Sequence, residues 1–222
     1  VAGHSLGEYS AFFSAGAFDF KTGLKLVQYR SRAIQSGCEK NPGSMAAVLN
    51  MDRKELQQIC DNCSKNGERC EMVNFNSPDQ IVITGEAEKI EKASRMITEQ
   101  QIGRVIPLDV SGAFHSTLMQ PAALRFEKEL QNVDFQTADF PVVSNVDGQP
   151  YVGSEDIRDN LAQQITSSVQ WVGSVEYMAA QGINDFIEIG PGNVLKGLIR
   201  RINRKLNVHN IKVPEDIENL SL

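Results

Sequence analysis

The sequence lacks the features that mark membrane and nucleic-acid-binding proteins. No apolar stretch approaches the roughly 20 residues that a membrane-spanning helix needs. Lys and Arg number 22 against 28 Asp and Glu, and the formal net charge of −6 argues against nucleic acid as the main partner. The 222 residues, 41% of them hydrophobic, are otherwise ordinary for a globular protein with a sizeable core. We expect a cytoplasmic protein that has neither a membrane nor a nucleic-acid partner.

Cysteine and histidine, the residues used most in metal and redox sites, are also scarce. There are four cysteines and three histidines. Cys60 and Cys63 are spaced C-x-x-C, but a helical pattern runs through them and no second C-x-x-C or histidine cluster follows. Free thiols, buried or half-buried, are therefore favoured over a metal or redox site. We expect no metal ligands.

The first eight residues carry the strongest local pattern. Val1–Glu8 predicts the end of a strand, a tight G-x-S-x-G turn (a nucleophile elbow) and the start of a helix. Side chains at Gly3 and Gly7 are expected to clash where these elements meet. Because the N-terminus of the helix directs N–H groups at developing negative charge, Ser5 is a candidate nucleophile and the Leu6 N–H a candidate oxyanion donor. A glycine-flanked serine that occurs by chance is the alternative.

Residues 40–113 have the pattern of a small inserted domain. Strands are predicted at 44–51, 70–75, 81–84 and 104–110, and helices at 52–66 and 86–100. The order β-α-β-β-α-β is that of ferredoxin-like domains.

The flanking segments, 1–39 and 114–222, predict an α/β core. Helices are predicted at 8–15, 19–35 (with Gly37 as C-cap), 117–133, 157–165, 175–181 and 194–206, and strands at 140–145, 185–189 and 208–213. We expect an α/β-hydrolase-like core with a parallel sheet. Because the strand end at Val1 has no element before it, we also expect that the first part of this core is missing.

A serine nucleophile needs a base, and the sequence offers three histidines. His209 lies in a strand-like C-terminal segment and is expected to be structural or solvated. His4 precedes Ser5, so its side chain should point away from the serine and support the turn. His115, in a glycine-bearing loop where the insert rejoins the core, is the remaining candidate. A histidine buried for structural reasons is the alternative.

Four motifs together resemble one enzyme family. They are GHSLGEYSA at 3–11, NFNSP at 74–78, GAFHS at 112–116 and EIGPGNVLKGL at 188–198. With near-uniform spacing over essentially the whole chain, the sequence resembles malonyl-CoA:acyl-carrier-protein transacylases of bacterial type II fatty acid synthesis. The family's G-Q-G-x-Q loop, which supplies a second oxyanion donor, is absent here. The resemblance therefore implies an N-terminally truncated chain, and losing one such donor typically costs roughly 10²–10³ in rate.

The resemblance also assigns roles to individual residues. It implies Ser5 as nucleophile and His115 as base, with no metal or redox cofactor. Arg30 matches the arginine that pairs with the malonyl carboxylate, for which a guanidinium fork is suited. Gln164 matches the glutamine whose main-chain carbonyl orients the histidine; its spacing to Trp171 is the only ground for preferring it to Gln163.

Two further positions bear on the choice of acyl group. Leu6 and Phe114 match the family's malonyl-preferring pattern, because bulk there crowds an α-methyl group. One methyl is worth only about 1–3 kcal/mol, so the selectivity need not be absolute.

The substrates implied by the resemblance are malonyl-CoA and acyl carrier protein, joined by a two-step transfer through malonyl-Ser5. Between Asn193 and Val213 the sequence has no acidic residue. The basic residues there include Lys196, Arg200, Arg201 and Arg204. They predict a surface that docks the acidic carrier protein. A solvated helix face with cations near its C-terminus is the alternative.

Three other functions match parts of the sequence. An α/β-hydrolase esterase places its histidine close to the C-terminus, whereas here about a hundred residues follow His115. A polyketide-synthase acyltransferase is closer, although the GPGNVL segment favours a free-standing enzyme. A truncated, inactive form that only binds carrier protein is disfavoured because Ser5, His115 and Arg30 are retained.

Overall fold

The computed structural model describes residues 1–64, 67–110, 112–218 and 220, which form an α/β fold. Two predicted positions, the helix end at residue 66 and the loop residue 111, lie outside the described residues.

The chain begins with two helices that follow the serine turn. Helix α1 spans Gly7–Ser14 and helix α2 spans Phe20–Lys40. The side chain of Asp19 accepts a hydrogen bond from Thr22 N–H at 2.7 Å, which caps the N-terminus of α2.

The next part of the chain forms an antiparallel sheet covered by two helices. Its elements are β1 (Ser44–Leu49), α3 (Arg53–Cys63), β2 (Cys70–Ser77), β3 (Gln80–Gly85), α4 (Ala87–Glu99) and β4 (Arg104–Pro107). They follow one another in the predicted order. The strands are arranged β2-β3-β1-β4, and each neighbouring pair is antiparallel.

The rest of the chain alternates helices and short strands. A 3₁₀ turn at Thr117–Met119 precedes α5 (Gln120–Leu130), β5 (Val142–Val143), β6 (Pro150–Tyr151), α6 (Ser154–Gln163), α7 (Trp171–Ala180), β7 (Asp185–Ile189), α8 (Val194–Ile202) and β8 (Asn207–Ile211). Several predicted boundaries are wrong. The strand predicted at 140–145 has two residues, and the helix predicted to reach 206 ends at Ile202, because Asn203 has an extended backbone with φ −148° and ψ 110°.

Parallel strand pairs are present, but they do not belong to one sheet. Strands β7 and β8 are parallel, and Ala2 forms a separate parallel bridge with Val143 in β5. Within the described residues, the expected parallel sheet is therefore not one continuous sheet. The Ala2–Val143 bridge sets the direction of the chain just before the serine turn.

The prediction that Gly37 ends the second helix is wrong. Helix α2 continues to Lys40, and a Cβ atom at Gly37 would lie 3.0 Å from Cβ of Ala122 in α5. Glycine therefore allows α2 and α5 to approach closely. The largest apolar cluster fills the space between α1, α2, α5 and α6 and includes Phe12, Leu26 and Phe126.

The cysteines are part of the packing. All four are buried, as predicted, and among the described residues none of them forms a disulfide. Three of them, Cys60, Cys63 and Cys70, belong to the apolar cluster between the antiparallel sheet and its helices. In the part of the chain described here, none of the helices combines the length and the apolar character needed to cross a lipid bilayer.

Candidate active site

The turn that carries Ser5 is held in an unusual backbone conformation. Ser5 has a positive φ of 50°, which is rare for a residue with a side chain. Its N–H donates to Asn145 Oδ1 at 2.6 Å, so the segment just after β5 stabilises the turn from a position far away in sequence.

The two glycines of the turn differ in what they permit. A Cβ atom at Gly3 would lie 2.0 Å from the carbonyl carbon of Gly7, a distance that no side chain can adopt. A Cβ atom at Gly7 would meet nothing within 4 Å. The steric expectation therefore holds for Gly3 and is wrong for Gly7, because only the backbone of Gly7 lies in the crowded space.

Ser5 and His115 are in direct contact. Ser5 Oγ lies 2.8 Å from His115 Nε2, and His115 Nδ1 lies 2.9 Å from the backbone oxygen of Gln164. A carbonyl oxygen can only accept, so Nδ1 carries the proton and Nε2 is free to accept from the serine hydroxyl. Burial, with a contribution from Arg30, lowers the pKa of His115 to about 4. His115 is therefore neutral near pH 7, the form that a general base requires.

The carbonyl that contacts His115 is the one preferred on sequence spacing. Gln164 is buried, whereas the side chain of its neighbour Gln163 is exposed.

Arg30 brings a positive charge to the serine. The residue is 8% exposed, and its Nη2 donates to Ser5 Oγ at 2.9 Å and to Gln164 Oε1 at 3.3 Å. Its guanidinium also lies over the ring of Tyr9, with Cζ 5.6 Å from the ring centroid. The serine oxygen thus has one donor, Arg30, and one acceptor, His115.

A cavity of about 790 Å³ opens beside these groups. It is lined by Ser5, Arg30, Ser31, Ile34, Gln35, Cys38, Glu39, Pro42, Phe114 and His115. Phe114 contributes an aromatic wall next to the histidine. The structure therefore brings Ser5, Arg30 and His115 to one accessible cavity.

His4 lies on the other side of the turn, as its position before Ser5 predicts. Its Nε2 is 2.7 Å from Asn76 Oδ1, and its ring is 5.6 Å from that of Trp171. Burial lowers the pKa of His4. The NFNSP segment is thus linked to the serine turn through Asn76.

Sequence reasoning missed a buried polar network beneath the serine. Glu8 is fully buried, and its Oε1 accepts from Asn145 N–H at 2.7 Å. The side chain of Gln164 donates to Glu8 Oε2 and to the backbone oxygen of Ser5, the latter at 3.0 Å. The one available signal was an acidic residue within a mostly apolar helix segment.

The basic residues of α8 lie at a different cavity. Lys196, Arg200, Arg201 and Arg204 line a cleft of about 920 Å³ together with residues of β7 and β8, including His209. None of the residues described as lining this cleft also lines the cavity beside Ser5. The structure therefore does not bring these four residues to the serine.

Known proteins resemble this chain over nearly its whole length. Residues 1–217 match the family described as acyl transferase domain. A malonyl CoA-acyl carrier protein transacylase of Bacillus subtilis (strain 168) is 42% identical over 218 residues, which cover 98% of this chain and 69% of the relative.

Solved structures agree with this relationship. The malonyl-CoA:acyl carrier protein transacylase of Xanthomonas oryzae pv. oryzae is 36% identical with a TM-score of 0.93, over 98% of this chain and 69% of that one. A malonyl-transacylase in complex with its type II PKS acyl-carrier protein is 37% identical with a TM-score of 0.94, over 98% of this chain and 70% of that one. The chain therefore belongs to the acyl transferase family, in the group of the malonyl-CoA:acyl-carrier-protein transacylases.

Proposed function

We propose that this protein transfers the malonyl group of malonyl-CoA to the phosphopantetheine thiol of an acyl carrier protein, in fatty acid biosynthesis. The observation that carries the proposal is the surroundings of Ser5 Oγ, which lies 2.8 Å from His115 Nε2 and 2.9 Å from Arg30 Nη2. The oxygen of the proposed nucleophile thus contacts both its base and a cation suited to a carboxylated acyl group. The relatives described above carry the name of this activity.

In the first half-reaction, Ser5 Oγ attacks the thioester carbonyl carbon and its proton passes to His115 Nε2. The tetrahedral intermediate collapses with cleavage of the carbon–sulfur bond, and His115 returns the proton to the departing coenzyme A sulfur. The Gln164 carbonyl accepts the Nδ1–H throughout and stabilises the transient imidazolium.

Arg30 is proposed to bind the free carboxylate of the malonyl group. Arg30 lines the cavity beside Ser5, so the acyl group of a bound substrate can reach its guanidinium. A carboxylate can accept two parallel N–H bonds from such a fork. Phe114, in the cavity wall, is proposed to crowd an α-methyl group and so to favour malonyl.

The Leu6 N–H is proposed to stabilise the oxyanion. The N–H groups of Gly7 and Glu8 donate to the carbonyls of His4 and Ser5 at 3.0 and 3.1 Å. Leu6 precedes the first helical residue, and a backbone N–H at this position is one of those that a helix leaves without an internal acceptor.

In the second half-reaction, the carrier-protein thiol attacks malonyl-Ser5 with His115 again as base. We propose that Lys196, Arg200, Arg201 and Arg204 attract the acidic carrier protein, since complementary potentials raise association rates. The chemistry is proposed to need no metal or redox cofactor, because Ser5, His115 and Arg30 supply the nucleophile, the base and the cation.

The architecture supports two structural proposals. The turn at 3–7, with Ser5 at positive φ, is proposed to be a nucleophile elbow. Residues 40–113 are proposed to form a ferredoxin-like subdomain inserted into an α/β-hydrolase-like core of 1–39 and 114–222. The strand order β4-β1-β3-β2 favours this. The N–H of Phe75 donates to Val169 O at 2.9 Å, which joins the two parts.

A polyketide-type acyltransferase is the second candidate. It is favoured by the similarity to a malonyl-transacylase whose partner is a type II PKS acyl-carrier protein. Both candidates use the same chemistry at Ser5, and they differ in the carrier protein that is preferred.

The test is malonyl transfer from malonyl-CoA to purified holo-carrier proteins of the fatty-acid and polyketide types. We expect transfer, with the lower KM for the fatty-acid carrier. Reversal of Arg200 and Arg204 to Glu should raise the KM for carrier protein and leave transfer to free pantetheine unchanged, because a small thiol does not use the docking surface. Carrier binding without any transfer would instead indicate an inactive binding protein.

A further inference from the structure

A buried carboxylate beneath the serine has no part in the chemistry proposed above. Glu8, in the first turn of α1, is fully buried, and Arg30 is the cation that acts on it electrostatically. An ionised carboxylate is costly to bury and persists where hydrogen bonds satisfy it. Its two oxygens accept from Asn145 N–H and from the Gln164 side chain.

The Gln164 side chain connects Glu8 to Arg30. Its Nε2 donates to Glu8 Oε2 and to Ser5 O, and its Oε1 accepts from Arg30 Nη2 at 3.3 Å. A carboxylate only accepts and a guanidinium only donates. The amide therefore has one favourable orientation, with its nitrogen toward Glu8 and its oxygen toward Arg30.

The same Arg30 Nη2 donates to Ser5 Oγ at 2.9 Å. We infer that Glu8 is a positioning residue that, through the amide of Gln164, fixes the Arg30 guanidinium beside Ser5 and thereby sets the preference for a carboxylated acyl group. This inference rests on the proposed malonyl transfer.

The second oxygen of Glu8 supports the serine backbone by a separate route. Glu8 Oε1 accepts from Asn145 N–H, and Asn145 Oδ1 accepts from Ser5 N–H at 2.6 Å. Asn145 Nδ2 also donates to Gly3 O at 2.6 Å. A glutamine at position 8 can still offer its one oxygen to Asn145, so this route survives a Glu8→Gln change.

The route through Gln164 does not survive that change. The new amide nitrogen at position 8 would face the amide nitrogen of Gln164, and two donors cannot bond to each other. If Gln164 rotates to offer its oxygen, its nitrogen turns toward the Arg30 guanidinium and its contact with Ser5 O is lost. The rotated arrangement removes the acceptor that fixes Arg30, and the unrotated arrangement leaves two donors in contact, so Glu8→Gln favours release of Arg30.

Protonation of Glu8 has a similar effect. Burial raises the pKa of Glu8 to about 7, against the opposing effects of the hydrogen bonds from Asn145 and Gln164 and of the Arg30 charge. Among the residues that the structure describes, Tyr9 and Tyr151 are the other titratable groups that interact electrostatically with Glu8. Proton uptake places an O–H where Gln164 now finds an acceptor, so the selectivity for malonyl should fall as pH decreases through this range.

The test compares malonyl-CoA and acetyl-CoA as donors that acylate Ser5. The acyl-enzyme formed in a single turnover is measured by intact mass. Glu8→Gln should lower kcat/KM for malonyl-CoA about tenfold or more, mainly by raising KM. The rate of acetylation should change little. The exposed Glu99→Gln, on α4, is the matched control and should behave as wild type. In the wild type, the malonyl/acetyl ratio should increase with pH near 7, and Glu8→Gln should flatten this profile.

A second variant covers the case in which Glu8→Gln does not fold. Gln164→Met keeps the carbonyl that contacts His115 and removes the amide, so its loss with malonyl-CoA should exceed its loss with acetyl-CoA. Equal losses for malonyl and acetyl, or no loss for either, would overturn the role of Glu8. Failure of the proposed function is distinct, because the wild type itself would then form no malonyl-Ser5.

Discussion

Replacing Arg30 by alanine should separate malonyl transfer from the rest of the serine chemistry. The side chain is buried, and it contacts Ser5 Oγ at 2.9 Å and Gln164 Oε1 at 3.3 Å. The proposed pairing with the malonyl carboxylate is a charge-assisted interaction. Such bonds contribute about 1.5–3 kcal/mol, and about 1.4 kcal/mol is a factor of ten, so kcat/KM for malonyl-CoA should fall roughly 10–150-fold.

Acetyl-CoA provides the internal comparison because it has no carboxylate. The Arg30 charge helps to lower the pKa of His115, so Arg30→Ala should raise that pKa and leave a base at least as strong. Acetylation of Ser5 should therefore be unchanged or faster.

The assay is single-turnover acylation by each donor, read as intact mass. Arg32→Ala is the matched control, since Arg32 is exposed on the same helix. Arg30→Lys should lie between wild type and Arg30→Ala, because it keeps the charge and loses the fork. Equal losses for malonyl and acetyl donors in Arg30→Ala would refute the carboxylate role.

Two further predictions concern the turn and the base. Gly3→Ala should prevent formation of the native serine turn, because its Cβ would lie 2.0 Å from the backbone of Gly7. Gly7→Ala should lower the free energy of unfolding, measured by denaturant unfolding, by less than about 1 kcal/mol. Similar losses of stability in both variants would contradict this steric argument. Burial lowers the pKa of His115 from 6.5 to about 4. Below pH 6.5 the unfolded chain therefore binds a proton that the folded protein does not, and the contribution of neutral His115 is lost as pH falls toward 4. The free energy of unfolding of the wild type, minus that of His115→Leu, should fall by about 3 kcal/mol over this interval; a difference independent of pH would contradict the burial argument.

The turn motif and the small number of histidines were enough to find the proposed nucleophile and base. Ser5 follows from a turn motif, and His115 follows from elimination among three histidines. Arg30 and the Gln164 carbonyl needed the family resemblance, because neither lies in a local motif that names its role. The geometry brings all four together.

Other features arise only from tertiary contacts. Glu8 and Asn145 are 137 residues apart, and no periodicity links them. Gly37 has the appearance of a helix end in the sequence, yet it serves the close packing of α2 against Ala122. The motif likewise predicts that Gly7 is required, although only its backbone is crowded. These errors have one cause, since a glycine's neighbours across the fold cannot be read from its neighbours in the chain.

The most direct test of the central claim is the acyl-enzyme itself. On mixing with malonyl-CoA, the wild-type chain should gain the mass of one malonyl group, and peptide mapping should locate it at Ser5. Ser5→Ala should gain nothing, and His115→Ala should acquire the group roughly 10²–10⁴ times more slowly, the usual contribution of a general base. A malonyl adduct of normal rate in Ser5→Ala would contradict the account.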